Sequence, residues 1–71
     1  MTRLEFLRRQ RGLTQTELGT AILYSRSIIS ILEHRRPNPE MVNVRIRAAL
    51  ERYFGESFHE LMQPVSPGAN Q

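Results

Sequence analysis

Apolar residues recur every three or four positions along most of the chain. Leu4 and Leu7 are three apart, Leu18 and Ile22 four, Ile29 and Leu32 three, and Ile46, Leu50 and Phe54 repeat every four. This is the spacing of helices that bury one face. It predicts five helices, at about 3–11, 15–22, 26–34, 39–54 and 58–62. No stretch alternates with period two, and no Asn-Gly or Asp-Gly pair marks a hairpin. The expected fold is all-α, with one core made from these residues together with Leu13, Phe58 and Leu61.

Start and stop signals fall between the apolar runs. Thr2-Arg3-Leu4-Glu5, Thr14-Gln15-Thr16-Glu17 and Ser57-Phe58-His59-Glu60 each fit the S/T-x-x-E capping box. Ser25 is a fourth candidate cap, and Asn38-Pro39-Glu40 reads as the start of the fourth helix. Gly12 and Gly55 follow helix ends, where glycine takes the left-handed position without steric cost. Gly19 would let the second helix approach the third closely. The apolar pattern stops at Gln63, so residues 1–62 form the expected domain and 63–71 a flexible tail.

Composition narrows the function classes. The 71 residues allow one domain at most, and a chain this short has no room for a deep substrate cleft. It has no cysteine, which removes disulfides, thiolate catalysis and cysteine-ligated zinc, and makes an intracellular setting the simplest. All ten cationic residues are arginine and all seven acids glutamate. Residues 1–36 carry seven Arg against three Glu, and residues 37–71 three Arg against four Glu. A basic N-terminal half suits a domain that turns one face toward phosphates, although a solvated basic surface has the same composition. No apolar stretch is long enough for a membrane span, and no signal peptide opens the chain. A cytoplasmic, nucleoid-associated protein is expected.

The richest segment is Leu13–Arg36, LTQTELGTAILYSRSIISILEHRR. It reads as two short helices joined by a tight turn, the second opening on Ser25-Arg26-Ser27. That is the layout of a helix-turn-helix, whose second helix lies in the DNA major groove. Two runs resemble the lambda-repressor-like family of helix-turn-helix domains, the Cro/C1 or xenobiotic-response-element type. They are Arg11-Gly12-Leu13-Thr14-Gln15-x-Glu17-Leu18 and Ser25-Arg26-Ser27-x-Ile29-Ser30-x-Leu32-Glu33. The resemblance covers residues 3–62. It implies a five-helix DNA-binding domain with the motif at helices 2 and 3, operator binding, transcriptional regulation and dimer formation. By the same resemblance, Gln15 contacts a phosphate and braces the recognition helix. Arg26, Ser27 and Ile28 fall where the family reads bases, and Ser30, His34 and Arg36 where it meets the backbone.

Three positions depart from the family pattern. Leu23 stands in the turn where the family usually has Gly, so either the turn is strained or the second helix ends differently. Arg35 stands after the third helix where Gly is common, and the fourth helix runs about one turn longer, through Glu51-Arg52-Tyr53-Phe54.

Read from the residues, Arg26 at a helix start can engage guanine O6 and N7 with both arms of its fork; the bland alternative is a solvent or phosphate contact. Ile28 can pack on a thymine methyl or be partly buried against the second helix, and Ile31 has the same ambiguity. Gln15 lies at a helix N-terminus that favours phosphate. Ser27 and Ser30 can bond phosphates or be solvated, Ser27 being the better candidate; Ser25, a candidate cap, is counted with the DNA-binding residues, and His34, Arg35 and Arg36 form a basic corner. Arg8, Arg9 and Arg11 either extend that footprint or are solvated. Catalysis has little support: His34 and His59 sit in different helices, no serine has a His and acid arranged with it, no H-x-x-x-H spacing exists, and the glycines are isolated. Neither a cofactor nor a metal is expected.

Two function classes follow. One is a regulator, most simply a repressor, reading a palindromic operator in double-stranded DNA as a homodimer through Tyr53, Phe58, Met62 and Val65. The other is a protein-interaction module, using Tyr24, Ile28 and Ile31 against a toxin, an anti-repressor or another regulator. An antitoxin would combine the two.

Overall fold

The computed structural model describes residues 1–65. Among them are five α-helices: α1 Arg3–Gln10, α2 Gln15–Ala21, α3 Arg26–Arg35, α4 Val44–Phe54 and α5 Phe58–Leu61. No strand is present among the described residues, only an isolated antiparallel bridge between Thr2 and Pro64. The fold is all-α, as the apolar spacing implies.

Local chemistry sets most of the boundaries. Thr2 Oγ1 accepts from the Glu5 amide at 3.1 Å and Ser57 Oγ from the Glu60 amide at 3.2 Å. At α2 the capping box is complete: Thr14 Oγ1 accepts from the Glu17 amide at 3.0 Å, and Glu17 Oε1 from the Thr14 amide at 2.8 Å. The fourth helix differs from expectation. Asn38 and Pro39 open only a 3₁₀ turn, Pro39–Met41, after which Val42 is extended at φ −89° and ψ 138°. Asn43 then caps α4, its Oδ1 accepting from the Arg45 amide at 2.7 Å. The apolar repeat, which begins only at Ile46, carried no sign of this break.

Eleven side chains form one core: Leu4, Leu18, Ile22, Ile29, Leu32, Ile46, Leu50, Phe54, Phe58, Leu61 and Met62. Each of the five helices contributes, so a short chain closes a single apolar centre without disulfides. Leu7 and Leu13 pack on it half-buried.

The chain ends meet. The Arg3 amide donates to the Gln63 carbonyl at 2.8 Å, and the Val65 amide to the Met1 carbonyl at 2.7 Å. Arg3 also grips Glu56 with two arms, at 2.6 and 2.8 Å, and this hydrogen bonding holds the Glu56 carboxyl below the usual carboxylate range. Residues 63–65, read from sequence as the start of a flexible tail, are therefore hydrogen-bonded to the N-terminal segment; the rest of that tail lies outside the described residues.

Candidate nucleic-acid interface

α2 ends in a tight double hydrogen bond. The Leu23 amide donates to the Thr20 carbonyl at 3.1 Å and the Tyr24 amide to the Gly19 carbonyl at 2.8 Å. This pairing is the Schellman motif, which needs a left-handed residue just past the helix. Leu23 takes that position with φ 66°, so of the two readings open from sequence the strained turn is the one adopted. A side chain at Gly19 would collide with the turn: its Cβ would lie 2.8 Å from the Tyr24 carbonyl oxygen and 3.0 Å from the Ser25 carbonyl carbon. The absent Cβ at Gly19 lets the chain fold back against α2 and enter α3.

α3 is held from behind by a buried polar network. Arg8 Nε donates to Glu33 Oε2 at 2.6 Å, and Arg8 Nη2 to Glu33 Oε1 at 3.0 Å. Gln15 Nε2 donates to the same Glu33 Oε1 at 3.0 Å. Arg8 Nη1 completes the set on the Leu13 carbonyl at 2.7 Å. Two helices, α1 and α2, thus converge on one carboxylate of α3. The hydrogen bond to Glu33 raises the Arg8 guanidinium above its ordinary pKa, so its charge is permanent. Gln15 is half-buried with its amide turned inward to Glu33.

The N-terminal start of α3 is open. Ser25 occupies the N-cap position with φ −84° and ψ 161°, yet its hydroxyl makes no capping hydrogen bond. Ser25, Arg26 and Ser27 are exposed, and Arg26 has no carboxylate partner among the described residues. His34, Arg35 and Arg36 are exposed at the other end of the helix. Ser30 is half-buried. Ile28 is also half-buried and packs on the core, whereas Ile31 is exposed. The left-handed residue at the end of α3 is Arg36, at φ 46°, because Arg35 still belongs to the helix.

Several sequence expectations need correction. Arg8 is buried in an ion pair and cannot extend a phosphate footprint. Arg9 pairs with Glu5 one turn away, and Arg11 lies over the Tyr53 and Phe54 rings, 5.3 and 4.7 Å from their centroids. Among the described residues the arginines without a carboxylate partner are Arg11, Arg26, Arg35, Arg36, Arg45, Arg47 and Arg52. Apart from Arg11, which bonds the Tyr53 carbonyl and lies over two rings, free positive charge therefore lies on α3, its C-cap Arg36 and α4. Of the residues expected at a dimer contact, Phe58 and Met62 are in the core, Tyr53 is half-buried beneath Arg11, and Val65 is half-buried and bonded to Met1.

The Glu33 network was missed, although a signal for it exists. Glu33 follows Ile29 by four and Leu32 by one, and Arg8 follows Leu4 by four. Both charges thus sit on apolar stripes, where a buried charge must find a partner.

No group of three or more His, Cys, Asp or Glu that could hold a metal ion occurs among the described residues. None of the described helices is long and apolar enough to cross a membrane. Compared with known proteins, the chain matches no family model, and no curated protein or solved structure matches it significantly.

Proposed function

We propose that this protein is a lambda-repressor-like transcriptional regulator that binds double-stranded DNA, with α3 in the major groove and α2 crossing the backbone. The observation that carries the reading is the contrast along α3, between its Glu33 turn and its N-terminal start. Glu33, toward its C-terminal end, is fixed by Arg8 and Gln15, while Ser25, Arg26 and Ser27 at its start are exposed and unpartnered. A rigid helix with free donors at its N-terminal end is what base reading requires.

In this reading Arg26 forks onto a guanine, worth about 1–3 kcal/mol of discrimination. Ser25 and Ser27 take phosphates at the helix start, where the backbone amides are also free. Ser30, His34, Arg35 and Arg36 meet the backbone further along. Gln15 acts through Glu33 to orient the helix, and Ile28 seats α3 on the core. Two such helices in a homodimer, about 34 Å apart, would read a palindromic operator, with repression by occupying that site.

Selection of bound duplexes from a random pool tests the proposal. The expected outcome is an enriched palindrome. Arg26→Ala should relax preference at one base per half-site, and Arg36→Ala should weaken all duplexes and reduce the salt slope by about one. A pool that enriches nothing, with affinity indifferent to salt in both variants, rejects it.

A further inference from the structure

We infer that the groove between the α2–α3 turn and α4 docks an acidic amphipathic helix of a partner protein. Ala21, Ile22 and Leu23 form one wall, and Ala49, Arg52 and Tyr53 the other, around about 410 Å³. An adjoining hollow of about 430 Å³ carries the groove along α4 past Ala48 to Arg45.

Leu23 is the first reason. It is 90% exposed on a backbone with φ 66°. A left-handed conformation disfavours any residue with a Cβ, and an isobutyl group left in water contributes no burial free energy to the fold. Glycine would avoid both costs. The leucine side chain does no folding work in this chain, and it projects at the lip of an apolar groove.

The second reason is the face of α4. Arg45, Ala48, Ala49 and Arg52 are spaced i, i+3, i+4 and i+7, which places them on one side of the helix. Ala48 and Ala49 leave a shallow floor that accepts a large apolar side chain. Arg45 and Arg52 stand at its two ends, about 10 Å apart by helical rise, exposed and without carboxylate partners among the described residues. The complement is a helix with a central apolar anchor and carboxylates two turns apart.

A second copy of this chain does not supply that complement. Glu5, Glu33 and Glu56 are in ion pairs, Glu17 is in the capping box and Glu51 accepts from the Phe58 amide. Glu40 and Glu60 remain, in different elements. A phosphate backbone would meet the arginines but leave Leu23 and the alanine floor without a partner. The groove uses none of Ser25, Arg26 or Ser27, so the inference does not rest on DNA binding.

The test uses the full chain against a displayed library of helical peptides with one face randomised. Selected peptides should be acidic with a central large apolar residue, and in amide spectra they should shift Leu23, Ala48 and Ala49. Leu23→Gly should melt no lower than the parent yet bind these peptides about tenfold more weakly or worse. Arg45→Glu/Arg52→Glu should lose them and enrich basic peptides instead. The inference is overturned by a library that enriches nothing, by enrichment without acids, by shifts confined to α3, or by equal binding to Leu23→Gly. It is also overturned if the Arg45/Arg52 variant loses only affinity for duplex DNA.

Discussion

The α1–α2 and α2–α3 connections share one design and use it differently. Both close with the same pair of hydrogen bonds: Gly12 to Arg9 and Leu13 to Arg8 in the first, Leu23 to Thr20 and Tyr24 to Gly19 in the second. Both have a left-handed residue at the same position, φ 71° at Gly12 and 66° at Leu23. In the first, that residue is glycine, Arg8 satisfies the Leu13 carbonyl, and Thr14 opens the next helix with a full capping box. In the second, the residue is an exposed leucine, the cap serine makes no capping bond, and the following arginine has no partner. The first connection is built for stability. The second leaves donors and apolar surface unused within the chain, where the proposed DNA and helix partners would meet it.

The largest expected effect comes from the network behind the first connection. Glu33→Ala strips a buried guanidinium of its partner and should cost about 3–5 kcal/mol. A chain of this length has a total stability of about 4–10 kcal/mol by the usual per-residue range, so the loss removes about a third or more of it and the variant should melt more than about 10 °C below the parent by circular dichroism. Replacing both charges, Arg8→Met with Glu33→Leu, should recover most of the loss, because an apolar pair needs no compensation. A Glu33→Ala melt within a degree or two of the parent would show that the network does not hold α3.

Next in size is the exchange of the two left-handed residues. Gly12→Ala should cost about 1–2 kcal/mol, since a Cβ there touches nothing and only the backbone conformation is penalised. For a domain of this size, each kcal/mol lowers Tm by about 4–8 °C. Leu23→Gly should move the other way, by up to about 1 kcal/mol, as relief of strain is partly offset by the flexibility of glycine in the unfolded chain. Equal losses at both positions would mean that Leu23 does contribute to folding, and the contrast between the turns would fall.

How much of this was legible in the sequence follows from the range of each interaction. The five helices and most of the core follow from local signals, and periodicity and cap residues report them; at Leu23 the same signals left a strained turn and a different helix end both open. The break before α4 was not legible, because Asn38-Pro39 and Asn43 are both good starts and the choice depends on how the chain packs. Nor were the fates of the arginines: Arg8 meets a carboxylate 25 residues away and Arg3 one 53 residues away. Composition counts such charges but cannot pair them. At the candidate site, Arg26, Ser27 and the basic corner were placed by motif spacing, and all of them are exposed. Ile28 was undecided from sequence because a position beside the apolar stripe can tilt either way; α3 tilts it partly inward.

The smallest effect separates the connections most directly. Thr14 and Ser25 are both N-caps with extended backbone, at ψ 166° and 161°. Thr14 accepts from the Glu17 amide, and Thr14→Ala should cost about 1 kcal/mol in a urea melt. Ser25 accepts nothing, so Ser25→Ala should change stability by no more than a few tenths of a kcal/mol. If the serine hydroxyl meets a phosphate, that same substitution should weaken duplex binding by about the value of one hydrogen bond to a charged group, 1.5–3 kcal/mol, while Thr14→Ala leaves binding per folded molecule unchanged. Stability and affinity would then respond to opposite caps. A Ser25→Ala variant that loses stability and keeps its affinity would place the hydroxyl back in the fold and remove it from the interface.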